Sequence, residues 1–170
     1  NLYVELSRSY NLLGQFFWTK KEREKAIAAF NEAVDLQVRT EHQTYRWIAK
    51  TNLALIYLES NNNSEAVMYA REIILGYYSS KRDKFKQIFT TYNKIEYKDF
   101  FADKEIVSIL LMLRILYIND KAEYTKIIEN ITQPNTFVLS KKFEYFISHS
   151  LVSELKNTYY YVDEHYMIKC

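Results

Sequence analysis

A pattern of small and large residues recurs at a fixed interval near the start of this chain. Leu13-Gly14-x-x-Phe17 followed by Ala26-x-x-x-Phe30-x-x-Ala33 returns as Leu53-Ala54-x-x-Tyr57 followed by Ala66-x-x-x-Ala70-x-x-Ile73. Gly14 and Ala54, Phe17 and Tyr57, and Ala26 and Ala66 are each 40 residues apart. Small residues belong where two helices approach closely, and large ones where a helix plugs its neighbour. A unit built this way cannot bury its apolar face alone, so units stack into a curved array. Such arrays bind other molecules far more often than they catalyse reactions.

Composition supports long helices. Glycine occurs only at 14 and 76 and proline only at 134, against ordinary usage of about 7% and 5%. Barrels and sandwiches consume these residues in tight turns. Hydrophobic residues make up 48% of the 170 and aromatics 16%, with 16 Tyr and 10 Phe. That is enough apolar surface for a core and too much for a disordered chain. The net charge of +2 gives no basic face for nucleic acid. A single cysteine, Cys170, excludes an internal disulfide and makes a thiolate metal site implausible. The longest apolar stretch, Ile106 to Ile118, is broken by Ser108 and Arg114 and is shorter than a membrane span. The chain opens on Asn1 without a signal peptide. The expectation is an excerpt or a processed form of a longer protein whose flanking domains are missing, and a cytoplasmic location.

Apolar spacing predicts the elements. Leu6, Tyr10, Leu13 and Phe17 define the buried face of a first helix over 3–18. Thr19 with Glu22 suggests a capping box for a second helix reaching about Arg39, with Ile27, Phe30, Val34 and Val38 on its stripe. A third helix runs to about Glu59, and a fourth, capped by Asn63 or Ser64, ends near Gly76. Further helices are expected over 81–95, from Asp103 to Tyr117, over 121–131, and from Phe137 through Leu155. Lys94 to Ala102 reads as a connection, and Pro134 marks a loop. The aromatic tail, Tyr159 to Lys169, is expected to form a covering helix, with a strand as the alternative because Tyr and Val favour pleated surfaces.

Tyr10, Leu13, Gly14, Phe17, Ala26, Phe30 and Ala33, repeated in Leu53, Ala54, Tyr57, Ala66 and Ala70, resemble the signature of the tetratricopeptide repeat. Tyr10 stands where that family has tryptophan, the proline expected near Val38 is missing, and the spacing exceeds the usual repeat by six residues. The resemblance implies an all-α fold of antiparallel helix pairs stacked as a right-handed superhelix. One domain would span 1–170, with clear repeats over about 7–40 and 41–80 and degenerate or capping helices over 81–170; Leu113 to Ile127 is a degenerate third unit at best.

In that family the first helix of each pair lines the concave groove. Carried over, the groove residues are Arg8, Asn11, Leu12, Gln15 and Trp18, then Thr51, Asn52, Leu55 and Leu58. Asn52 is foremost, because family members hold a peptide backbone with an asparagine there. One carboxamide donates and accepts, so it clamps an extended peptide without reading side chains. The resemblance therefore implies a peptide- or protein-binding module, of the kind that bacterial regulators and signalling proteins join to an output domain. The alternative is a spacer that self-associates, for instance as a homodimer, with the aromatic tail docked on a neighbour.

Chemistry needs convergent groups, and few occur here. His42, His149 and His165 have no metal-ligand spacing, and Asp163 with Glu164 lacks a partner motif. Glycine scarcity excludes phosphate-cradling loops. No enzyme activity, metal or cofactor is expected.

Overall fold

The computed structural model describes residues 2–38, 43–91, 101–132, 141–158 and 166–168. Helices α1 (Leu2–Thr19), α2 (Arg23–Val38), α3 (Gln43–Glu59) and α4 (Asn63–Ser80) form two antiparallel pairs. Then come α5 (Arg82–Thr91), α6 (Lys104–Asn119) and α7 (Lys121–Thr132). The last helical stretch joins α8 (Lys141–Tyr145), a π-helical turn (Phe146–Ser150) and α9 (Leu151–Thr158). Packing follows chain order: α1 on α2, α2 on α3, α3 on α4, and α6 against both α3 and α4. This is a TPR-like all-α repeat fold.

The 40-residue recurrence extends to the turns. Lys21 and Asn61 are both left-handed, with φ of 61° and 58°. In the first turn Lys21 N–H donates to Trp18 O at 2.8 Å and Glu22 N–H to Phe17 O at 2.9 Å. In the second, Asn61 N–H donates to Leu58 O at 3.0 Å and Asn62 N–H to Tyr57 O at 2.9 Å. Both are Schellman closures, which satisfy the last carbonyls of α1 and α3 and reverse the chain. Thr19 belongs to this closure and is not the cap of α2: its hydroxyl donates to Phe16 O at 2.7 Å. The cap of α4 is Asn62, whose side chain accepts from Glu65 N, in place of the expected Asn63 or Ser64.

Asp103 and Asp120 cap the helices that follow them. Asp103 Oδ1 accepts from Glu105 N at 2.9 Å and Asp120 Oδ1 from Glu123 N at 3.0 Å. Between them α6 is buried nearly all round, from Val107 to Leu116, and forms the centre of the core. Arg71 on α4 and Glu123 on α7 pair at 2.9 Å.

Gly76 does not end α4. It lies inside the helix, with negative φ, where the Trp47 ring sits against its α-carbon. The face of α1 also differs from its apolar spacing. Leu6 and Leu13 are exposed, whereas Val4, Ser7, Asn11, Gly14 and Gln15 are buried. Ser7 Oγ donates to Ala33 O at 2.9 Å, and Gly14 meets the Phe30 ring, so α1 turns its small and polar side to α2. Leu53, the counterpart of Leu13, is fully buried because α3 packs against α2, α4 and α6. Val38, at the end of α2, is exposed. The tail is not helical at Tyr166–Ile168, and Ile168 has β-bridge geometry. The expectations for Lys94 to Phe100, Pro134, Phe137 and the rest of the tail lie outside the described residues.

Candidate functional site

Three carboxamides, from Asn11 and Gln15 on α1 and Asn52 on α3, converge in a site that is at least 95% buried. Burying an amide without partners costs about 2–7 kcal/mol, so each must be satisfied from within. What satisfies them is a backbone segment. Asn52 Oδ1 accepts from Ile168 N at 2.8 Å, and Asn52 Nδ2 donates to Ile168 O at 3.0 Å. One side chain thus grips both polar groups of one residue, as a neighbouring β-strand would. Asn52 Nδ2 also donates to Asn11 Oδ1 at 2.9 Å, which orients the second carboxamide. Asn11 Nδ2 and Gln15 Nε2 then donate to Ile168 O at 3.1 and 2.5 Å. Every contact to Ile168 in this clamp is to its main chain.

The helices hold these side chains firmly. Gly14, between Asn11 and Gln15, lets Phe30 close against α1. Thr51, beside Asn52, is fully buried, and its hydroxyl has no hydrogen-bond partner. Leu55 and Leu58, one and two turns further along α3, line an apolar cavity of about 350 Å³ with Leu111, Ile115 and Val152. Tyr166 also borders this cavity, so clamp and cavity are consecutive along the segment.

The structure therefore brings Asn11, Gln15 and Asn52 together at Ile168, with Leu55 in the adjoining cavity. Arg8 pairs with Glu5 on its own helix at 3.1 Å, and Trp18 is half-buried against the core. Leu12 is exposed.

Sequence reasoning missed two participants. The first is the segment Tyr166–Met167–Ile168, whose pairing with Asn52 spans 116 residues of sequence; only the aromatic, β-prone tail hinted at it. The second is Arg114, at the cavity edge. Its Nη1 donates to Ile147 O at 2.8 Å and to Ser148 O, two carbonyls of the π-helical turn. Burial pulls the Arg114 guanidinium below the usual arginine range. Lys156 Nζ lies 5.4 Å from the centroid of the Tyr166 ring, and its hydrogen bond to Tyr166 holds that ammonium above its ordinary value.

Among the described residues no group of three or more His, Cys, Asp or Glu could hold a metal ion. No described helix is long and apolar enough to cross a membrane.

A stack of helical hairpins with three amides on the main chain of Ile168 is the architecture of a helical repeat. Residues 7–37 match the tetratricopeptide repeat family model, and together with the helical stack of the described residues this supports a TPR-like helical repeat protein. Repeats of this family generally mediate protein–protein interactions. No curated protein and no solved structure matched the chain.

Proposed function

We propose that this groove binds an extended peptide segment of a protein partner, with Asn52 as the principal clamp and Asn11 and Gln15 as its supports. The observation that carries this reading is the pair of hydrogen bonds from one carboxamide to the N–H and C=O of Ile168. A groove that holds its own chain by the main chain is chemically fit to hold another. Leu55 and Leu58 then offer an apolar pocket for a side chain of the guest. Main-chain hydrogen bonds supply grip, and the pocket supplies preference. Thr51 keeps Asn52 in place from within α3, and Arg8 and Trp18 flank the entrance in this reading. The setting proposed with it is a cytoplasmic regulatory or signalling protein, by analogy with bacterial regulators that join such repeats to an output domain.

Calorimetric titration with extended apolar peptides tests this. Two net hydrogen bonds of about 1 kcal/mol each predict that Asn52→Ala weakens binding about 30-fold. Unchanged affinity removes Asn52 from the mechanism.

One observation favours self-association as a second reading. Leu2, Leu6, Leu13 and Phe16 are all exposed and repeat along one side of α1 at helical spacing. Such a stripe suits a second copy of the same helix. Sedimentation of Leu6→Glu and Leu13→Glu variants decides it: a dimer that becomes a monomer supports the seam, and a wild-type monomer at high concentration refutes it.

A further inference from the structure

We infer, on the reading that this groove binds peptides, that Tyr166–Met167–Ile168 is a built-in competitor and that the partner is an extended segment which displaces it. The hydrogen bonds that grip Ile168 in the clamp all go to its main chain, so a segment in trans can make the same bonds. The side chains of Met167 and Ile168 are fully buried and join the core cluster. Two consecutive apolar residues, the second aliphatic, are therefore the chemistry the partner must bring.

Two features tell why a partner can win. Tyr166 is held in the left-handed region, with φ of 63°, which a bulky side chain rarely adopts. The tail thus enters the clamp through a disfavoured backbone conformation that a free peptide need not adopt. The cavity beside Tyr166, lined by Leu55, Leu58, Leu111 and Ile115, also has room of about 350 Å³ that the tail leaves open. A partner with an aliphatic residue immediately before its apolar pair fills that space and gains contact the tail lacks. The partner motif is accordingly aliphatic–apolar–aliphatic, extended, with no charge among the three.

Competition in cis lowers the affinity seen from outside by the fraction of open molecules, about 100-fold when the tail is seated in about 99 of 100. The test uses the full chain and two synthetic peptides: one copying Val162–Lys169, the other the same with Leu in place of Tyr166. Ile168→Asp places a carboxylate in a fully buried position and unseats the tail. Ile168→Asp is expected to bind both peptides at least tenfold more tightly than the wild type, the Leu peptide more tightly than the other, and Asn52→Ala in that background to abolish the gain. Equal binding by wild type and Ile168→Asp overturns the competition while leaving the groove as a peptide site. Binding to neither overturns both. Should Ile168→Asp fail to fold, the wild type labelled at the Ile168 methyl groups decides the same question. Saturating peptide must move those resonances to free-chain positions, and unmoved resonances with bound peptide overturn the competition.

Discussion

Gly14 lies so close to the Phe30 ring that a β-carbon there would sit 2.6 Å from Cε1. In the second repeat the same two positions hold Ala54 and Ala70, so a large-against-absent pair in one unit becomes small-against-small in the next. Alanine favours a helix over glycine by about 1 kcal/mol, yet Gly14→Ala is expected to destabilise by about 1–3 kcal/mol because the Phe30 ring has to move. In a Phe30→Ala background the same change becomes neutral or stabilising. Urea unfolding of the four variants reads this coupling directly.

Lys21 and Asn61 hold equivalent left-handed turn positions with unequal ease. Asparagine tolerates that conformation better than lysine. Lys21→Gly is expected to raise stability by about 0.5–1 kcal/mol, and Asn61→Gly to change it less. Thermal unfolding of the two variants side by side checks the ranking.

The N-terminus of α6 carries a buried carboxylate. Glu105 accepts from Lys81 Nζ at 2.6 and 2.7 Å and from Lys84 Nζ at 3.1 Å, and Lys84 also pairs with Asp103. Glu105→Ala leaves two part-buried ammonium groups short of a partner and is expected to cost about 2 kcal/mol. Glu105→Gln recovers part of that loss. Chemical denaturation at neutral pH measures both.

Alkali should unfold this protein sooner than its helix content suggests. Burial pushes the Tyr124 and Tyr77 phenols well above their ordinary 10.0; beside Tyr77, Lys84 opposes the rise while Glu105 and Asp103 add to it. Burial pulls Lys84 down, but its bonds to Asp103 and Glu105 prevail and raise it above 10.5. Each group binds its proton more tightly when folded. The folded chain therefore carries more protons than the unfolded one above about pH 10, and stability falls as pH rises through that range. Tyr124 Oη has no hydrogen-bond partner, so Tyr124→Phe is expected to be neutral or slightly stabilising at about pH 7 and to move the alkaline midpoint upward. Circular dichroism against pH in wild type and variant reads the shift.

The repeat signature located the two hairpins because Ala26, Ala66 and Ala70 are small for a geometric reason that spacing alone reveals. The family resemblance singled out Asn11, Gln15 and Asn52, whose side chains meet at the main chain of Ile168. Apolar spacing misjudged α1, however, because Leu6 and Leu13 outrank Ser7 and Gly14 in hydrophobicity, while close approach to α2 depends on size. Gly76 misled in the same way: it looked like a terminator and is a notch for Trp47. The occupant of the clamp was out of reach, since periodicity reports on neighbours within an element and Ile168 is remote from Asn52 in sequence.

Hydrogen exchange at the Ile168 amide tests the clamp most directly. Its N–H donates to Asn52 Oδ1 in a buried site, so exchange in the wild type should be at least about 100-fold slower than in a free peptide. Asn52→Ala should return it to within about tenfold of the free rate while α6 amides stay protected. Exchange at Ile168 that is fast in the wild type, or equally slow in Asn52→Ala, contradicts the clamp.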